Sequence, residues 1–177
     1  MERLRLRRRG AVGFSLVEVM IVIAILGILA TLAISSGVEM NREQRHRTLA
    51  REVYRLLSIA RGSAVSENRR AAVVFGADRV TAFVDLSVPA NYEYDAGTDR
   101  LVDEYPRSPD TFLAGMAVSV ISGFASVSGV PTAIFDSQGY SRNESLALAP
   151  GVVGVTDDQR GDSISIRVTI GGSVRVE

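Results

Sequence analysis

The side chains able to do chemistry are few in this chain, and their spacing limits what they could do. His46 is the only histidine and cysteine is absent. No Cys/His cluster therefore offers a zinc site, and a histidine-assisted nucleophile would have to be built on His46 alone. That residue stands among Arg42, Arg45 and Arg47 and reads as a solvated surface position. All 20 basic side chains are arginine, so a phosphate-cradling Gly-rich loop with its lysine is excluded. Asp95-Ala96-Gly97-Thr98-Asp99, with Asp103 and Glu104 beyond, gathers carboxylates, as does Asp157-Asp158 with Asp162. Neither follows the acid-at-every-second-position pattern of a calcium loop. No catalytic residue, metal or cofactor is expected. One carboxylate stands out by its surroundings. Glu18 is the single charge in an apolar run of 21 residues that opens at Phe14 and closes at Ile34.

The elements around Glu18 explain why its position matters. A helix over residues 14–34 reaches roughly 30 Å, the thickness of a bilayer's hydrocarbon core. Ahead of it, residues 1–13 carry five arginines against Glu2, a charge that holds this end in the cytoplasm and sends the other side out. A cleaved secretory signal, with Ala33-Ile34-Ser35 as its small-residue site, and a plain membrane anchor share this outline. A lipoprotein signal would need a cysteine, and Arg8-Arg9 lacks the rest of a twin-arginine motif. A carboxylate inside either apolar segment is unfavourable by a few kcal/mol unless something compensates it.

Beyond the run, no proline interrupts residues 39–68, and Leu49, Val53, Leu56, Ala60 and Ala64 recur at helical spacing. That is one apolar stripe ready to pack on a sheet, with Arg42, Glu43, Arg45, Arg51, Glu52 and Arg55 on the solvated side. Ser35-Ser36-Gly37 is the weak point of the helix. Residues 71–75 and 80–86 flank Gly76-Ala77-Asp78 as a hairpin. Residues 87–110 hold Pro89, Pro106 and Pro109 and read as an irregular excursion. Residues 116–121, 132–135, 145–148, 163–170 and 173–177 read as further strands, giving about seven in all and an α+β head. The expected divisions are a leader over 1–13, a transmembrane helix over 14–36, an amphipathic helix over 37–68 and a β-rich head over 69–177. Net charge is zero over the whole chain, but residues 80–177 hold six arginines against thirteen acids. That excess argues against DNA as a partner unless Arg69, Arg70, Arg167 and Arg175 converge.

The run from Arg9 through Gly13, Phe14 and Glu18 resembles the processing site of prepilins. The resemblance implies cleavage after Gly13, N-methylation of Phe14 by the prepilin peptidase/methyltransferase, and an assembly role for Glu18 beside a neighbour's amine. Three further stretches resemble the H-type minor pseudopilins of type II secretion and the FimT-like minor pilins. They are residues 57–70, Ile134-Phe135-Asp136-Ser137-Gln138-Gly139, and Gly171-Gly172-Ser173-Val174. This likeness implies a long N-terminal helix packed on an antiparallel sheet, a filament of pilins or pseudopilins, and a head outside the inner membrane. It also implies a structural subunit that is not an enzyme. Type II secretion is the first reading; a type IV pilus subunit in pilus assembly or DNA uptake is the second. DNA-binding FimT-like members end in Gly-Arg-x-Arg, where this chain has Gly172-Ser173-Val174-Arg175.

Overall fold

The computed structural model describes residues 15–106, 116–143 and 145–177, with the side chains of residues 31–40 outside the described set. The chain divides into two compact units, residues 1–42 and 43–177. A single helix, α1 (Leu16–Glu67), runs through both. The backbone stays helical across Ser35-Ser36-Gly37, where poor formers are too few to outweigh their neighbours. The helix stops at Asn68, which takes the left-handed conformation (φ 52°) while the Arg69 amide returns to the Ala64 carbonyl at 3.1 Å. Asparagine tolerates that backbone better than most residues, so the stop is encoded locally.

Among the described residues ten strands follow, all paired antiparallel. They are β1 (Arg70–Phe75), β2 (Val80–Asp85), β3 (Arg100–Tyr105), β4 (Met116–Ser122), β5 (Ala125–Val127), β6 (Val130–Phe135), β7 (Ser141–Arg142), β8 (Gly151–Asp157), β9 (Ser163–Val168) and β10 (Val174–Val176). One sheet runs β3-β2-β1-β6-β5, with β7 on β6; the other runs β10-β9-β8-β4. The β1–β2 hairpin forms as expected, closed by the Gly76 amide on the Arg79 carbonyl at 2.9 Å.

Within the head one core serves both sheets and the helix. Leu49, Val53, Leu56, Ala60 and Ala64 are all fully buried, as the stripe predicts, and Leu57 joins them. They pack with Ala71, Val73 and Phe75 of β1, Ala133 and Phe135 of β6, Val153 and Val155 of β8, and Ile166 and Val168 of β9. Each large apolar side chain removed from water here contributes about 1.5–3 kcal/mol. β1 and β2 are buried on both faces, because Tyr92 packs with Ala125 and Ile134 on the far side of the first sheet.

Three expectations are corrected. The stretch 87–110 is not all irregular, since β3 lies within it and pairs with β2. Residues 145–148 do not form a strand: the Asn143 side chain accepts the Ala147 amide at 2.9 Å and Leu146 is left-handed (φ 60°), which curls the chain. β8 occupies 151–157, where Pro150-Gly151 reads as punctuation. Gly151 is there for packing, because a Cβ at this position would lie 2.2 Å from the Phe124 ring.

Candidate functional site

Glu18 lies in the first turn of α1, where the Val19 amide reaches the Ser15 carbonyl at 3.2 Å. A carboxylate there faces the positive end of the helix dipole. Residues on every side of this segment are apolar and exposed, including Leu16, Met20, Ile23, Leu26 and Ile28, each more than half open to solvent. A helix apolar all round is one that something else must cover. Gly13 and Phe14 fall outside the described residues, and Ile34 falls among the side chains not described. Among the described residues no helix is long and apolar enough to cross a membrane; the apolar run opens one residue before them, at Phe14, and its last four side chains, residues 31–34, are not described.

His46 is not a solvated surface residue. It is 6% exposed and its Nε2 donates to the Val155 carbonyl of β8 at 2.7 Å. Arg45 and Arg47 on either side of it are exposed, with Arg47 paired to Glu43 at 2.6 Å. Near the middle of the stripe, Arg55 donates to Glu52 and to Asp103 of β3, each at 2.7 Å. The Glu52 bond leads, and together the two carboxylates raise the guanidinium's pKa against the opposing effect of burial. These polar links tie the helix to one sheet through Asp103 and to the other through Val155.

The three stretches that carry the pilin resemblance meet at one point. The Arg61 Nε donates to the Gly139 carbonyl at 3.2 Å. Gly139 (φ 80°) and Gly172 (φ 74°) both hold left-handed backbone, and a Cβ on Gly172 would lie 1.9 Å from the Gly139 oxygen and 2.7 Å from the Arg61 Nε. Gly172 therefore requires glycine twice over, for φ and for space, and Gly139 requires it for φ.

The candidate DNA-contacting arginines do not come together as a group of four. Arg167 and Arg175 are cross-strand partners on β9 and β10, and Arg167 is paired with Glu177 at 2.9 Å. Arg70 lies on β1 in the other sheet, donating to the Tyr92 hydroxyl at 2.5 Å with its guanidinium 5.7 Å from that ring's centre. The acidic loops spend their oxygens on the chain itself. Asp99 accepts the Leu86 and Asp95 amides, both at 2.9 Å, and Asp95 accepts the Gly97 amide at 2.8 Å. Asp157 accepts the Gln159 amide at 3.0 Å and Asp162 pairs with Arg160 at 3.4 Å. Among the described residues no three acids or histidines group to hold a metal.

The geometry of this helix and head has counterparts among known proteins. The family model described as type II transport protein GspH matches residues 49–173. That described as the prokaryotic N-terminal methylation motif matches residues 13–34. In fold the chain is similar to the type IV minor pilin FimU of Pseudomonas aeruginosa, at 15% identity with TM-score 0.55, covering 77% of this chain and 90% of that one. It is also similar to the minor pseudopilin EpsH from the type 2 secretion system of Vibrio cholerae, at 13% identity with TM-score 0.51, covering 75% and 96%. No protein of curated function matches by sequence.

Proposed function

We propose that this chain, which belongs to the GspH family of type II transport proteins, works as a minor pseudopilin, a structural subunit of the filament that drives protein export across the outer membrane. The observation that carries the reading is the pairing of a GspH-type head with an N-terminal methylation motif on one chain. In this account the leader, residues 1–13, stays in the cytoplasm; residues 14–36 span the inner membrane; residues 37–68 continue as the helix that enters the head; and residues 69–177 complete the head in the periplasm. The prepilin peptidase cuts between Gly13 and Phe14 and methylates the new amine, so the chain is an enzyme's substrate and does no chemistry itself.

Glu18 then acts one helical turn from the Phe14 amine. A buried carboxylate without a partner is costly, and one paired with a neighbour's ammonium is much less so. Pairing rewards one register between adjacent subunits, and head-to-tail contacts that do not close produce a helical filament. The exposed apolar surface of the helix start supplies the remainder of the contact. The expected result for Glu18→Ala is membrane insertion at the wild-type level with loss of incorporation, compared by fractionation and by recovery in sheared filaments. Normal incorporation of the variant would refute the pairing role. A second reading, a minor pilin of a type IV pilus, draws on the fold likeness to FimU. DNA capture fits less well, because Arg167 is spent on Glu177 and Ser173 stands where DNA-binding FimT-like members carry arginine.

A further inference from the structure

On the outer side of the first sheet lies a pocket of roughly 210 Å³ lined by Arg70, Tyr92, Ile134, Asp136, Arg142 and Leu146. Two guanidinium groups face it and one carboxylate. That carboxylate is spent: Asp136 receives Arg142 through Nε at 2.9 Å and Nη2 at 2.5 Å, and the amides of Gln138 and Tyr140 at 2.9 Å each. Arg70 is not neutralised in this way. Among the described residues its hydrogen-bond partner is the uncharged Tyr92 hydroxyl.

The chain goes to some length to hold Arg70 there. Tyr92 sets its ring against that guanidinium from the left-handed conformation (φ 58°), and its amide is fastened to the buried Asp85 at 2.8 Å. Burial raises the pKa of the Tyr92 phenol, with Arg70 and Arg142 opposing, so it stays protonated at neutral pH. Its oxygen accepts from Arg70, which leaves its own hydrogen to offer. The pocket thus presents donors of hydrogen bonds around a positive charge, over an apolar floor made by Ile134. A planar carboxylate is the group that such a fork of N–H donors matches.

We propose that this pocket receives an acidic side chain from the head of a neighbouring subunit. The inference rests on the pseudopilin reading. Charge selects that occupant: residues 80–177 of this chain carry thirteen acids against six arginines, so the head of a second copy offers a cationic socket carboxylates far more often than cations. A nucleic acid is the poorer fit, since one small pocket neutralises one phosphate and binding needs a track of them.

The test places p-benzoylphenylalanine at Leu146 of the full chain in cells making the whole secretion system, with illumination before filaments are sheared. The expected result is an adduct to a second pilin-type subunit, mapped within a few residues of an Asp or Glu. Arg70→Gln should cut its yield at least tenfold while Arg69→Gln leaves it unchanged. Arg70→Glu should lose the adduct and regain it when the captured acid is changed to arginine. An adduct indifferent to Arg70→Gln, or one sensitive to nuclease, overturns the proposal. So does a Glu144→Gln variant that loses as much thermal stability as Arg70→Gln, because the chain's own acid would then fill the pocket. Filaments that contain this chain without the adduct would sink the pocket's role alone. Absence of the chain from filaments would sink the pseudopilin reading and the pocket's role together.

Discussion

Alanine at Gly172 is the perturbation whose size follows most directly from the head's geometry. Three glycines with left-handed backbone form a graded series. At Gly161 (φ 71°) a Cβ would meet nothing within 4 Å, so Gly161→Ala carries only the backbone penalty, about 1–2 kcal/mol. At Gly139 the Cβ would lie 2.8 Å from the Val65 Cγ2, the end of a half-exposed side chain that can rotate away. Its cost should exceed that of Gly161→Ala only slightly. At Gly172 the obstacle is backbone: the Gly139 oxygen at 1.9 Å, with the Arg61 Nε at 2.7 Å. Relief requires the 136–140 turn to move, which breaks the Arg61–Gly139 hydrogen bond at about 1 kcal/mol and adds overpacking strain of about 1–3 kcal/mol. With the backbone penalty included, the total for Gly172→Ala is about 3–6 kcal/mol. All five tyrosines lie at residue 54 or beyond, so their emission in a urea titration of the full chain in detergent reports the head. If Gly172→Ala costs no more than Gly161→Ala, the convergence of Arg61, Gly139 and Gly172 is not a structural joint.

Two further stability predictions use the same titration. His46→Ala should cost about 1–3 kcal/mol, because the buried Val155 carbonyl loses its donor, whereas Arg45→Ala at an exposed position should change little. Asp136 carries the third prediction, one of pH dependence. Burial pushes its pKa upward, but the Tyr140 amide, Arg142 and the Gln138 amide outweigh that and leave it below the usual carboxylate value. A depressed folded pKa gives stability that is complete above the unfolded value, near 4, and fades as pH falls through the folded one. Asp136→Asn should therefore be less stable than the native chain at pH 7, with the gap narrowing as pH falls below the unfolded carboxylate value, near 4.

Much of this organisation is legible in the residues. The stripe from Leu49 to Ala64 announces a buried helix face because it repeats at helical period without a proline. His46 continues that stripe, three residues before Leu49 and seven before Val53. Its arginine neighbours obscured it, although they occupy other faces of the helix. The twin-sheet head was harder to see for a different reason. Gly151, which reads as a break after Pro150, lies inside β8 with Gly154, because Phe124 and Ile121 need the space a Cβ would fill at the two positions. Local turn chemistry and tertiary packing both select glycine, and one sequence does not separate them. The Arg70–Tyr92 pair spans 22 residues and depends on how the 86–99 loop folds back over the sheet, which no periodicity encodes.

The most direct test of the account is the mass of the mature N-terminal peptide from chain purified out of membranes that contain an active prepilin peptidase. The expected peptide begins at Phe14 and carries one added methyl group on its amine, with Glu18 retained four residues in. A peptide beginning at Ser35 or Ser36, or a leader still attached at Met1, would contradict it.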